Sequence, residues 1–277
     1  MLLLGLYLGI LFPFTAYMKN KPFAEKVGYV PKGEVLNYIS ADQKQFVAST
    51  LVMKVLFYFG SLTEKTDKKV DIPVDYQAMS RTIHAAVKVD PYNMDAYYFA
   101  QAILVWDVGQ IQLANNLLEY GMKYRTWDFY LPFFAGFNYA YFLKDYEKAA
   151  KYYKIAGDLS GAELYTNLAG RYFFESGQSD LAIAYLSTME KSARNDSIRR
   201  AFRTRLQAIR QGKLIEVARD RFLKENGHLP ASVEELLRKG YLVQPPVDPY
   251  GGKFYLESDG KVRSTSKFAF GKDVGKR

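Results

Sequence analysis

The chain has no cysteine in 277 residues. Thiol nucleophiles, thiolate metal sites and disulfides are thereby excluded together. Histidine is almost as scarce. Only His84 and His228 occur, far apart in sequence, and neither stands in a motif that would orient an imidazole. Phosphate loops are missing too: YGGK (250–253) lacks the preceding strand, the spacing and the following Ser/Thr of a P-loop. No segment carries the alternating acids of an EF-hand loop. No nucleophile–base pair can be assembled around the two histidines, so no enzyme, cofactor or metal site is expected.

What is present is a basic excess, +9 overall, and a high aromatic content of 16% with 23 Tyr and 19 Phe. The charge is uneven. Residues 188–277 carry the whole +9, and the preceding residues sum to zero, with 90–187 themselves acidic. A diffuse attraction of the whole protein to nucleic acid is therefore disfavoured.

The first 17 residues, MLLLGLYLGILFPFTAY, are uncharged, and Lys19 and Lys21 follow. As a helix they would span roughly 25 Å at ~1.5 Å per residue, slightly less than the ~30 Å hydrocarbon core of a bilayer. Tyr17, Lys19 and Lys21 suit an interface. A cleaved signal peptide fits less well, because a basic leader is missing and Phe14 is bulky for its place in a Phe14–Thr15–Ala16 cleavage site. The expectation is a transmembrane anchor at 1–18 and a linker at 19–40, in a single-pass inner-membrane protein. Lys19, Lys21, Lys26 and Lys32 would hold the following domain in the cytoplasm by the positive-inside rule. The cysteine-free composition instead favours a periplasmic domain, and that is the placement expected.

Internal periodicity is the strongest signal. Three segments align: DAYYFAQAILVWDVGQIQLANNLLEYGMKY (95–124), YLPFFAGFNYAYFLKDYEKAAKYYKIAGDL (130–159) and AELYTNLAGRYFFESGQSDLAIAYLSTMEK (162–191). Each reads as an aromatic-rich helix, a tight turn and a second helix. The turns fall at Gly109, Lys144–Asp145 and Gly177, and Ala114, Ala149 and Ala182 follow at matching distances. A small side chain there lets the two helices of a hairpin approach closely, while large neighbours fill the groove between hairpins.

This pattern resembles the tetratricopeptide repeat. LKDYEKAAKYYKIA (143–156), with Ala149, Tyr153 and Ala156, is the closest stretch, and Asn167-Leu-Ala-Gly170 with Tyr172 is similar to the family's first-helix signature. A degenerate repeat precedes these. Its first helix is expected at 42–60, its inserted polar loop at 62–73, and its second helix at 76–93, where Ala86 and Pro91 occupy family positions. Two first helices are one residue longer than the family pattern. The resemblance covers roughly residues 41–191. It implies a superhelical groove lined by the first helices. By register that groove would be lined by Phe99, Ile103 and Trp106, then Phe133, Phe137 and Tyr141, then Thr166, Gly170 and Phe173, each of which could instead be buried between helices. The family's Lys/Asn clamp for a C-terminal carboxylate is not visible, because apolar side chains stand at those places. Such a groove favours an apolar helix or extended segment of a protein partner.

Residues 194–221 hold nine Lys/Arg against three acids. Ile198, Ala201, Phe202, Leu206 and Ile209 recur at helical spacing, which leaves Arg199, Arg200, Arg203 and Arg210 on the opposite, basic face. Capping of the repeat array by helices at 192–226 is the first reading. A face for anionic lipid or an acidic partner is the second; nucleic acid comes last, since no base-reading motif accompanies the arginines.

Residues 227–277 then read as a short helix, a β-hairpin and a basic tail. Asn226–Gly227 signals a helix end, Ser232 and Glu235 a capping box, and Ser258-Asp259-Gly260 a hairpin turn between FYLE and KVRS. The order of pieces over 226–265 is similar to the C-terminal part of type II secretion pseudopilins, where a helix ends in an Asn-Gly-x-x-Pro-like turn, followed by an Asp-Pro-aromatic-Gly loop and a hairpin. The pilin N-terminal helix and its processing site are not recognisable, so the likeness implies a shared local module rather than a shared function. Asp248 and Asp259 lie beside Pro or Gly and read as turn residues.

The expectation is thus an all-α, tetratricopeptide-like α-hairpin solenoid of three clear repeats and one degenerate one (41–191), with an anchor and a small hairpin module. Its expected role is a non-enzymatic scaffold for a protein partner in a bacterial envelope complex. The alternative is an adaptor for anionic lipid or nucleic acid acting through 194–221.

Overall fold

The computed structural model describes residues 2–21, 24, 26–62 and 72–269. Most of the polar loop expected at 62–73, and residues 270–277 of the basic tail, lie outside the described residues. Among those described are twelve α-helices, two π-helical segments and one two-stranded antiparallel sheet. They form two compact units, 1–117 and 118–277.

The first unit begins with α1 (Leu2–Asn20). Among the described residues no helix is long and apolar enough to cross a membrane. That finding overturns the expected single-pass inner-membrane anchor and, with it, the periplasmic placement. The apolar run is diluted by Gly5, Gly9, Pro13 and Thr15, and the helix closes on Lys19 and Asn20. The segment expected as a linker is 19–40. It contains a helix, α2 (Gly33–Ile39), which packs on α4 (Tyr76–Val89). Gly33 makes this approach possible, since a Cβ there would stand 2.8 Å from the Lys88 side chain. Glu34 then meets Lys88 Nζ at 2.7 Å, and Leu36 is buried.

α3 (Lys44–Ser61) lies against α4 and also touches α5 (Met94–Ala102). Val52, Val55, Met79, Ile83 and Ala86 are buried in this unit. The start of α4 is secured twice: Asp75 Oδ1 accepts from Ala78 N at 2.8 Å, and Asp75 N donates to Tyr58 OH at 3.0 Å. An N-cap of this kind contributes about 1 kcal/mol. The π-helical segment Ile103–Asp107 continues α5, and α6 (Ile111–Met122) carries the boundary between the units.

The second unit continues with α7 (Tyr130–Asn138), a π-helical segment (Tyr139–Leu143), α8 (Tyr146–Ser160), α9 (Glu163–Glu175), α10 (Ser179–Lys191) and the 31-residue α11 (Asp196–Asn226). Each of α7 to α11 packs on the next, and α9 also touches α11. The capping helices expected at 192–226 are this one long helix. Gly109, Lys144 and Gly177 all have left-handed backbones, at φ 70°, 54° and 83°, and the helices on either side of Lys144 and of Gly177 pack on one another. Ala114, Ala149 and Ala182 are buried.

The two π-helical segments stand at the ends of α5 and α7. A π-turn absorbs one extra residue without breaking the helix. α9 remains α-helical to its end.

Rings from successive helices stack where aromatic spacing indicated a core. Tyr139 lies parallel to Tyr152 at 5.5 Å, and Tyr153 parallel to Tyr172 at 5.5 Å. Glycines make room between helices. A Cβ on Gly136 would lie 3.2 Å from the Tyr153 ring, one on Gly170 2.6 Å from Leu186, and one on Gly212 2.4 Å from the buried Phe174 ring. On an exposed helix face Gly→Ala would stabilise by about 1 kcal/mol. At position 212 the Phe174 ring must move, so Gly212→Ala is expected to destabilise by about 1–3 kcal/mol in urea denaturation. A stabilised variant would show that α9 and α11 do not meet this closely.

Glu216 of α11 is buried and accepts from Ser179 Oγ at 2.7 Å, with Lys213 Nζ 3.9 Å away. Burial pushes its carboxyl above the usual range, opposed by Ser179 and Lys213. A carboxyl that holds its proton more tightly in the fold costs stability above its folded pKa, and that cost is relieved as pH falls through it. Glu216→Gln should therefore be more stable than the parent at pH 8, with the gap closing toward pH 4, in denaturant titrations at both pH values.

Candidate functional site

The terminal module is built around Asp248. This buried carboxylate accepts from Tyr250 N at 2.9 Å and from the hydroxyls of Ser264 and Ser266, the latter at 2.6 Å. It thus ties the Asp-Pro-Tyr-Gly turn to the far end of the hairpin. α12 (Val233–Arg238) precedes it, with Ser232 Oγ accepting from Glu235 N and Glu235 accepting in return from Ala231 N. Strands β1 (Phe254–Leu256) and β2 (Val262–Ser264) pair antiparallel, Tyr255 opposite Arg263. The turn closes with Gly260 left-handed at φ 83° and Gly260 N donating to Glu257 O at 2.8 Å.

Alternation along the strands buries Phe254, Val262 and Ser264 and turns Tyr255 and Arg263 the other way. Arg263 reaches back to the end of α9. Its Nη1 donates to the carbonyl of Glu175, its Nε lies 3.2 Å from Glu257, and its guanidinium covers the Tyr146 ring at 5.6 Å. A guanidinium on a helix C-terminal carbonyl satisfies an orphan acceptor and complements the dipole. Phe268 meets Phe174 of α9 at 5.1 Å. On α11, Arg205 lies over the rings of Tyr250 and Phe268 at 5.0 and 5.6 Å, and Arg219 donates to Gly260 O at 2.7 Å. Burial lowers the pKa of Arg205.

Between α7 with its π-helical end, α9 and the hairpin lies a cleft of about 410 Å³. Phe137 and Tyr141 form one wall, their rings nearly parallel at 5.4 Å. Tyr146 and Tyr172, stacked at 5.6 Å, form another, and Tyr255 closes the hairpin side. Burial raises the pKa of Tyr172, so its phenol is neutral at physiological pH. Four cations line the cleft, Lys144, Arg171, Arg263 and Lys267, against Glu175 and Glu257. Arg171 Nε pairs with Glu175 at 2.6 Å and its guanidinium lies over the Tyr172 ring at 5.2 Å. Lys144 Nζ stands over Tyr141 at 5.2 Å.

The residues expected to line a groove divide. Phe137 and Tyr141 line this cleft. Phe133 is half-buried on α7 against Tyr165 and Tyr153. Thr166 and Phe173 are buried, and Gly170 is filled by Leu186; these three are packing positions. In the first unit Ile103 is buried, Phe99 packs edge-on to Phe59 at 6.0 Å, and Trp106 is exposed. On the basic helix Arg199 pairs with Asp196 and Arg203 with Glu190, whereas Arg200 and Arg210 are exposed. The cleft residues beyond 141 were not anticipated. Arg171 and Glu175 carry a readable i,i+4 pairing signal, and the period of two places Tyr255 and Arg263 on one hairpin face. Among the described residues no cluster of three or more His, Asp or Glu side chains could hold a metal ion.

No protein-family model and no curated protein matches this sequence.

Because Arg263 joins the hairpin to the α9 carbonyl and the Tyr146 ring, Arg263→Ala should loosen the hairpin without unfolding the helices. Amide exchange at Tyr255 should accelerate about tenfold, the equivalent of one charge-assisted hydrogen bond. Unchanged exchange there would show that the hairpin is held without the Arg263 contacts.

Proposed function

We propose that this chain is a non-enzymatic scaffold that binds another protein through helical hairpins similar to tetratricopeptide repeats, with the cleft beside the terminal hairpin as its contact surface. The observation that carries this reading is the cleft's rim, where Tyr141 and Tyr255 remain 55% and 43% exposed beside fixed cations. Aromatic side chains held open next to charged groups are the usual anchors of protein interfaces. The packing of α7 to α11, each on the next, and the left-handed turns at Gly109, Lys144 and Gly177 support the repeat reading. An adaptor for lipid or nucleic acid acting through α11 has less support. Arg199 and Arg203 are already paired, Arg205 is half-buried against the terminal module, and Arg219 is bonded to Asp220 and the hairpin turn.

A photo-crosslinking amino acid in place of Tyr141 should capture a protein in cells, and one in place of Arg210 should not. The captured protein should bind the purified chain, and Tyr141→Ala should weaken that binding about tenfold, the cost of one interface anchor. Capture from position 210 alone, of lipid or nucleic acid, would establish the alternative.

A further inference from the structure

We infer that the partner of this cleft is a short acidic peptide segment carrying an apolar or aromatic side chain; the inference rests on the protein-binding reading above. The charges lining the cleft do not balance. Glu175 is held by Arg171 at 2.6 Å and Glu257 by Arg263 at 3.2 Å. Among the described residues, no carboxylate stands within ion-pairing distance of Lys144 or Lys267. Two ammonium groups are therefore left to attract negative charge.

Both lysines leave the chain from left-handed backbone, and Lys144 Nζ rests over the Tyr141 ring. Lys144 ends the π-helical segment at φ 54°, and Lys267 lies in the loop after β2 at φ 50°. A left-handed backbone on a non-glycine residue costs on the order of 1 kcal/mol, which local packing must offset. Lys267 is followed by the buried Phe268, which anchors that loop on Phe174. The backbone that carries Lys267 is thus seated on α9, beside the cleft.

Shape and polarity decide between a peptide and a small anion. An inorganic or nucleotide anion would satisfy the lysines and leave the aromatic rim in water. Tyr141 at 55% exposure and Tyr255 at 43% offer ring surface that a peptide side chain and backbone can cover. The volume of about 410 Å³ lies at the lower end of ligand pockets, roughly 300–1,000 Å³. It admits one or two side chains, not a folded domain. Carboxylates beside that anchor would meet Lys144 and Lys267, and the same two lysines would repel a basic segment.

A random-peptide library displayed on phage tests this against the full chain. Parallel selections use Tyr141→Ala and the pair Lys144→Gln with Lys267→Gln, each first shown by thermal melting to be folded. The expected result is enrichment of acidic peptides that contain an aromatic or aliphatic residue and are lost from both variant selections. By fluorescence anisotropy, a synthetic copy of the leading peptide should bind the double-Gln variant at least about tenfold more weakly. Enriched peptides that depend on Tyr141 but are neutral or basic would overturn the acidic assignment and leave the protein-binding reading standing. Acidic peptides that survive Tyr141→Ala and are displaced equally by polyuridylate RNA would mark a non-specific anion patch, and overturn it as well. An absence of any Tyr141-dependent peptide would remove both readings.

Discussion

Three helix pairs in the second unit come close because one helix offers a glycine where the other offers a large side chain. Tyr153 lies on Gly136, Leu186 on Gly170, and Phe174 on Gly212. Each contact removes the Cβ that would hold the helix axes apart, so a ring or branched chain fills the space at interior density. Most of the rest follows from that spacing. Tyr153 is positioned to stack on Tyr172, which supplies a wall of the cleft. Phe174, seated on Gly212, presents its ring to Phe268 and so receives the terminal module.

The module itself is a polar construction on an apolar seat. Asp248 gathers a backbone amide and two hydroxyls, and Gly252 opposite them leaves no room for a Cβ, which would fall 2.7 Å from the Asp248 carboxylate. A buried carboxylate with its lone pairs satisfied gives a unique geometry, where an unsatisfied one would only cost stability. From that frame Arg263 reaches the α9 terminus. In this protein the piece closes α9 and α11 and contributes one side of a cleft.

The π-helical segment after α7 shapes one wall of the cleft. Around Tyr139–Leu143 the added residue brings both Tyr141 and Phe142 beside Phe137, at 5.4 and 6.0 Å. In a regular helix only positions three and four apart share a face. The widened turn is what allows one aromatic to meet two partners and to shape the cleft wall. It also ends at Lys144, so the insertion sets a ring and a cation side by side at the rim.

Helix positions, reversals and small-residue contacts were legible in the residues, because they depend on near neighbours. Alanines at 114, 149 and 182, turns at 109, 144 and 177, the cap at Ser232 and the Asp-Gly hairpin are all local in cause. The apolar N-terminal run was misleading for the same local reason: absence of charge says that a segment avoids water, not that it spans a bilayer. Burial separated core from surface only in three dimensions. Phe173 and Tyr141 look alike in the repeat register, yet one is 5% exposed and the other 55%, because α10 and Tyr185 cover the first. The cleft belongs wholly to tertiary structure. Its walls come from residues up to 131 positions apart, Phe137 to Phe268, and only the docking of the hairpin on α9 brings them together. The sequence by itself determined the elements and their turns; long-range packing alone decided which side chains would face one another.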